Sequence, residues 1–286
     1  MKVLVLGANG QLGNDIVSAF EKEHEVIGIT HDDIDIGNLS DIHQLLLEKK
    51  PNILINTTAF HHVELCEQSP ETAELVNAIA VGFMANICKM LHIKFVHFST
   101  DYVFDGEKKT PYVETDFASP VNVYGKSKLH GEKLILENNP NALIIRISAI
   151  YGQHACRAKK GLNFIQLMLK LAQEKGEVKV VDDEFVSPTS TKNVVQQVAL
   201  TLKSDINGIV HATSEGQCSW YEFAEEIFKY THTKVNLYKG SSSDFPAKVN
   251  RPKYSVLQND VLHKNNINIM LPWKDALHQY LDEIKK

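Results

Sequence analysis

The sequence predicts an α/β protein with a doubly wound parallel sheet in its first half and a smaller C-terminal lobe. Three observations carry this expectation. Short, almost wholly apolar runs alternate with helix-patterned stretches. The first run, Val3-Leu4-Val5-Leu6, leads straight into the turn Gly7-Ala8-Asn9-Gly10-Gln11-Leu12-Gly13 and then into a helical pattern. Beyond Tyr151 the alternation loosens, and 286 residues suffice for one large α/β unit with a satellite.

The strands are expected at 3–6, 25–29, 53–55, 95–98 and 143–147, each short and apolar enough to be buried on both faces. Helical patterns separate them at 12–20, 42–48, 70–91 and 124–137. The second half reads as a helix at 161–175, a strand at 178–181, a helix at 191–202, a strand at 209–212 and a helix at 219–230. In the last of these Ser219 is followed three residues later by Glu222, the pattern of a capping box. The expected division is 1–150 as a dinucleotide-binding domain and 151–286 as mainly a substrate-binding lobe, with segments returning to the first domain. That lobe is expected to cover the strand ends, where open α/β sheets bind ligands.

Composition narrows the function classes. The formal net charge is −5 with acidic and basic residues interleaved, so no basic stripe marks a nucleic-acid partner. No apolar stretch is expected to approach the roughly 18 to 20 residues of a membrane span. Cys66, Cys88, Cys156 and Cys218 lie far apart without a C-x-x-C pair, and the chain opens directly into a strand, so a cytoplasmic protein is expected. His61 and His62 with Glu64, Cys66 and Glu67 lack the spacing of a helix-face metal site, and no metal is expected.

The glycine turn has a physical reading. Glycine lets the backbone pass close to a pyrophosphate, and the helix that follows offers free N–H groups at its N-terminus. The spacing here is G-x-x-G-x-x-G. The second strand ends Gly28-Ile29-Thr30-His31 with Asp32 and Asp33 just beyond, and no arginine waits there for a 2′-phosphate, so either NADPH or NADH is expected.

Ser99-Thr100-Asp101-Tyr102-Val103-Phe104 follows the strand at 95–98, which places polar groups at the ligand edge of the sheet. Further on, Tyr124 and Lys128 stand four apart and so share a helix face. These are the parts of a proton-delivery device for ketone reduction. The tyrosine OH supplies the proton, a nearby ammonium lowers its pKa from about 10, and the threonine orients the substrate oxygen. Nine tyrosines and 30 basic residues in 286 give about one such pair by chance, and Tyr230 with Lys234 is a second. The Tyr124 pair is preferred because it follows the glycine turn and the Thr100 strand edge in order.

The chain resembles the extended short-chain dehydrogenase/reductases and, within them, the dTDP-4-dehydrorhamnose reductase group. The stretches that carry the resemblance are the turn at 7–13, Asn56-Thr57-Thr58-Ala59-Phe60, the segment at 99–104, Pro120-Val121-Asn122-Val123-Tyr124-Gly125-Lys126-Ser127-Lys128 with Gly131-Glu132, Ser187-Pro188-Thr189, and Arg251-Pro252-Lys253-Tyr254-Ser255. The resemblance implies a Rossmann-like fold and reduction of the 4-keto group of a nucleotide-linked deoxysugar. It implies Thr100, Tyr124 and Lys128 in catalysis. Gly7, Gly10, Gln11, Leu12, Asp35, Ile36, Thr58, Ala59, Phe60 and Lys128 are implied at the cofactor, and Asp101, Tyr102 and Arg251 at the substrate. A homodimer is compatible with it.

The chain departs from that group in three places. Ala149 stands where the group usually has a tryptophan, the segment His154-Ala155-Cys156-Arg157-Ala158-Lys159-Lys160 is added, and Val186 replaces a glycine. These departures leave open a different 4-keto sugar nucleotide, with Arg157, Lys159 or Lys160 at a phosphate or acidic sugar. Two alternatives stand beside the reductase: a nucleotide-binding regulatory subunit, and an epimerase or dehydratase of the same fold, for which Asp101 and Tyr102 leave room.

Overall fold

The computed structural model describes residues 1–154, 161–245 and 249–285. The chain runs β1 (Lys2–Leu6), α1 (Gln11–Phe20), β2 (Glu25–Ile29), α2 (Leu39–Lys49), β3 (Ile53–Asn56), α3 (Val63–Gln68), α4 (Pro70–Glu74), α5 (Ala80–Met90), β4 (Lys94–Thr100), α6 (Val123–Asn138) and β5 (Leu143–Ile147). There follow β6 (Ile150–Tyr151), α7 (Phe164–Lys175), β7 (Glu177–Val181), β8 (Phe185–Val186), β9 (Thr189–Ser190), α8 (Thr191–Thr201) and β10 (Gly208–His211). The chain continues through β11 (Cys218–Ser219), α9 (Trp220–Thr231), β12 (Asn236–Gly240), α10 (Asp260–Lys264) and α11 (Trp273–Ile284).

Six strands form one parallel sheet in the order β10-β5-β4-β3-β1-β2. The chain moves outward from β1 to β2, then returns to place β3 on the other side of β1. That reversal opens a crevice at the C-terminal ends of β1 and β3, where ligands of open α/β sheets bind. Alternate residues of each strand feed two cores, as a pleated strand requires. Val3, Val5, Ile55, Val96 and Ile145 pack with Ile16 of α1 and Val194 and Val198 of α8. Leu4, Leu6, Leu54, Phe95 and Ile144 pack with Leu46 of α2 and Met84 and Ala85 of α5.

A third core lies in the second half, where Ile165, Val178, Val180, Phe223, Ile227, Trp273 and Leu277 join α7, α9, α11 and β7. Capping boxes start its helices: Asn163 Oδ1 accepts from Gln166 N at 2.9 Å, and Ser219 Oγ from Glu222 N at 3.1 Å. β10 does not stay with this half. It pairs with β5, so the second half contributes the edge strand of the main sheet.

The pattern at 70–91 is not one regular helix. Leu75–Ile79 forms a π turn between α4 and α5. By length and composition Pro70–Met90, 21 residues with mean hydropathy 1.3, could cross a bilayer, which corrects the expectation that nothing approaches that length. In this fold 56% of that window is buried, against α6 and the sheet. α2 also starts earlier than the 42–48 pattern, because Asn38 Oδ1 accepts from Ser40 N at 3.2 Å and sets its N-terminus at Leu39.

Candidate active site

The turn after β1 is shaped by close approach. Gly7 has φ +79°, and a Cβ on Gly13 would lie 2.1 Å from the Gly7 carbonyl oxygen. Both positions therefore require glycine. The Gly10 N–H donates to the Gly7 carbonyl at 2.9 Å, and α1 begins with no side-chain cap and no acidic residue in its first turn. Thr57 Oγ1 donates to the Leu6 carbonyl at 2.8 Å, which holds the end of β3 against this turn. A cradle that a methyl group would fill, under an uncapped helix start, fits a pyrophosphate.

Gln11 and Leu12 are buried at the start of α1, while Thr58, Ala59 and Phe60 are half-buried beyond β3. Phe60 is fixed by Asn77 of the π turn, which accepts from its N–H at 2.8 Å and donates to its carbonyl at 3.0 Å. Asp35 is exposed, with Oδ1 accepting from Gly37 N at 2.9 Å, and Ile36 packs half-buried against the α2 core. His154 stands close by: its carbonyl accepts from Gln11 Nε2 at 3.3 Å, and its Nε2 lies 3.4 Å from Asp15 Oδ1. The basic residues Arg157, Lys159 and Lys160, with Cys156, fall outside the described residues.

Thr100 ends β4 and is buried beside Asp101. Its hydroxyl donates to Asp101 Oδ1 at 3.0 Å and accepts from Tyr102 N at 3.2 Å. Burial pushes the Asp101 carboxyl up, opposed by hydrogen bonds from Ser148 (2.9 Å) and Thr100 among others. Tyr124 and Lys128 lie on the first turns of α6, which Asn122 caps by accepting from Gly125 N at 2.8 Å. The Tyr124 ring meets Tyr102 edge to face with centroids 5.8 Å apart. Burial pushes its phenol up and the Thr100 hydroxyl pulls it back.

Lys128 departs from expectation. It is buried, and its Nζ contacts the Phe98 carbonyl at 2.7 Å and His97 Nε2 at 2.9 Å. Burial depresses its ammonium to about 8, with Glu132 opposing. The hydrogen bonds of its Nζ go to β4, while burial is the largest influence on the Tyr124 phenol. His97 Nδ1 in turn meets Asn56 Nδ2 at 3.1 Å, and Asn56 Oδ1 accepts from Thr58 N at 3.0 Å and Thr58 Oγ1 at 2.5 Å. A polar line thus runs from the end of β3 to α6.

Beyond Thr100 a cavity of about 870 Å³ opens between the two halves, lined in part by Glu64, Gln68, Glu184, Arg251 and Lys253. Its lining stops short of Thr100 and Tyr124. Arg251 Nη2 donates to Glu64 Oε1 at 2.6 Å. Of the three expected substrate residues Asp101 is buried, Tyr102 half-buried and Arg251 exposed. Ala149 sits after β5 with φ +44°, and Val186 pairs with Cys218. Among the residues near His61, His62 pairs with Glu64 at 3.2 Å, Cys66 Sγ donates to the Phe60 carbonyl at 3.2 Å, and Glu67 accepts from Val123 N at 2.8 Å. Tyr230, of the second spaced pair, donates to Asp282 at 2.9 Å and stacks on His278, far along the chain from these groups.

Asn56, Asn77 and His97 belong to this site and were not among its expected members. A signal existed for one of them. Asn77 interrupts the apolar helical pattern at 70–91, and a buried asparagine there must find partners; it also donates to Ser127 Oγ at 3.0 Å. Gly131 lets its carbonyl approach α6, since a Cβ there would stand 2.1 Å from Asn77 O.

The family described as RmlD substrate binding domain matches residues 1–286. The spore coat polysaccharide biosynthesis protein SpsK of Bacillus subtilis (strain 168) is 37% identical over 283 residues, 99% of this chain and 97% of that protein. The crystal structure of a dTDP-4-dehydrorhamnose reductase from Clostridium acetobutylicum superposes with a TM-score of 0.95 at 38% identity, covering 100% of both chains. That of a dTDP-4-dehydrorhamnose reductase from Bacillus anthracis, in complex with NADP, has a TM-score of 0.93 at 33% identity and 99% coverage of each.

Proposed function

The chain belongs to the RmlD substrate binding domain family, and on that footing we propose that it reduces the 4-keto group of a dTDP-linked 6-deoxysugar with NADPH or NADH. The observation that carries the reading is the convergence of Thr100, Tyr124 and Lys128 at the C-terminal edge of the sheet beside a glycine turn that fits a pyrophosphate. Relatives named dTDP-4-dehydrorhamnose reductase, such as that of Burkholderia thailandensis at 35% identity, support this substrate class.

Gly7, Gly10, Gln11 and Leu12 would hold the pyrophosphate, Asp35 and Ile36 the adenosine end, and Thr58 to Phe60 the edge beside the phosphates. A reduced nicotinamide held there would supply a hydride for the carbonyl carbon. Thr100 orients the sugar carbonyl oxygen by hydrogen bonding, and Tyr124 delivers its phenolic proton to that oxygen as negative charge develops. A phenol kept protonated by burial holds that proton until an oxyanion stronger than itself is present. Asp101, Tyr102 and Arg251 lie on the side from which the sugar nucleotide would enter, with the second half as its lobe.

The test is turnover. Purified protein with NADPH or NADH and a panel of dTDP-4-keto-6-deoxysugars, followed at the nicotinamide absorbance, is expected to oxidise the cofactor with at least one sugar. Cofactor binding with no oxidation across the panel rejects the reading in favour of a nucleotide-binding role.

A further inference from the structure

The cavity beyond Thr100 has an ion pair built into its wall. Arg251 comes from the second half and Glu64 from α3 of the first, and both line the space. The backbone around Arg251 is fixed from two sides: the Asn250 carbonyl accepts from Asn122 Nδ2 at 2.9 Å, and the Lys253 carbonyl from Phe185 N at 2.8 Å. The guanidinium itself is tied once. Of its five N–H donors, the one bonded among the described residues is on Nη2, which meets Glu64 Oε1 at 2.6 Å. Glu64 has a second partner, since its Oε2 lies 3.2 Å from His62 Nδ1. Burial pushes the Glu64 carboxyl up, but its own backbone N–H and Arg251 outweigh this and hold it below the ordinary carboxylate range.

The place suits the diphosphate of a nucleotide sugar. Tyr102 packs edge to face on Tyr124, and its phenol lies close enough to Arg251 to act on that charge. One side chain thus separates the proton donor from the guanidinium, as one pyranose ring separates the C4 carbonyl of a nucleotide sugar from its diphosphate. Lys253 brings a second cation, 3.7 Å from Asp183, and half-buried Glu184 a further acid. Among the described residues each cation of this wall therefore already faces an acid. A bidentate contact of Arg251 with phosphate oxygens is stronger than its single bond to a half-buried carboxylate.

We propose that Glu64 is a specificity-determining residue, which occupies Arg251 in place of the substrate's diphosphate and is exchanged for it when the sugar nucleotide enters. The proposal rests on the reductase reading of the substrate class. Once released, Glu64 keeps His62 as its partner, and Arg251 meets the phosphates with its freed donors. A nucleoside without phosphate gains nothing from the exchange, so Glu64 sorts ligands by the charge they bring.

Calorimetric titration of the full chain with dTDP and with thymidine tests this. Glu64→Gln keeps the shape of the side chain and removes its charge. It is expected to tighten dTDP binding about threefold to tenfold while thymidine affinity moves less than about twofold. An unchanged dTDP affinity overturns the proposal, and a weakened one does so by making Glu64 a support for Arg251 rather than the stand-in for its ligand. Equal tightening of thymidine overturns it too. Arg251→Gln is expected to weaken dTDP at least about tenfold, and adding Glu64→Gln to it to recover less than about twofold. A full gain in that background reduces the effect to general repulsion and again overturns the exchange. Should Glu64→Gln not fold, Glu64→Ala carries the same expectation. If dTDP binds neither the native chain nor the variants, the nucleotide-sugar reading of the cavity falls. If it binds the native chain and is indifferent to Glu64, the exchange alone falls.

Discussion

At the scale of single residues, the buried amine of Lys128 makes a prediction about stability. Its folded pKa of about 8 lies below the 10.5 of an ordinary lysine, so between those pH values the unfolded chain binds more protons than the folded one. Stability therefore rises with pH across that window, and below it the folded state carries the full cost of the buried charge. Lys128→Met is expected to flatten this rise in urea unfolding curves measured at pH 7.5 and 10, while abolishing turnover. The same distinction explains what was legible. Thr100, Tyr124 and Lys128 announce themselves because strand edge, spacing and order fall within one local pattern. His97 and Asn56 lie on apolar strands, and their role comes from a partner 31 residues from His97 and another 41 away, which no local pattern encodes.

At the scale of elements, the β1–α1 turn is the most constrained. Gly13→Ala would place a Cβ 2.1 Å from a backbone oxygen that no rotamer change can move. It is expected to cost at least about 2 kcal/mol and to weaken NADPH binding more than tenfold, read by thermal melts and cofactor titration. Ser219→Ala, far from the site, should cost about 1 kcal/mol through loss of the α9 cap and leave cofactor affinity unchanged. Four of the five sheet strands of the first half were legible from apolar runs because they are buried on both faces; β2, the edge strand, corrects that expectation, since Glu25 and Gly28 are exposed and only Ile29 is buried. The π turn at Leu75–Ile79 was not, because its cause is tertiary: Asn77 reaches Phe60 and Ser127, and the extra residue in the turn lets it do so.

Across the whole molecule, the second half is tied to the sheet by buried polar contacts as well as by β10. Arg146 pairs with Glu132 and meets His211 Nε2 at 3.4 Å, while His211 Nδ1 donates to the Gln258 carbonyl at 3.0 Å. His211 is held neutral, depressed to about 3, by burial and by Arg146. Its unfolded form gains a proton near pH 6.5, so stability is lost as pH falls below that value, by about 1.4 kcal/mol per unit until pH 3. His211→Asn is expected to reduce the acid sensitivity of the urea midpoint between pH 7 and 4, and Glu132→Gln to cost about 3 to 5 kcal/mol by stranding Arg146. The return of segments to the first half was expected in outline. Which contacts close the site was not, since Arg251 meets Glu64 across 187 residues of sequence.

Proton donation by Tyr124 is tested most directly by Tyr124→Phe. With a dTDP-4-keto-6-deoxysugar and NADPH, kcat is predicted to fall at least about a hundredfold while the NADPH dissociation constant stays within about twofold. A variant that turns over at the native rate would contradict the assignment.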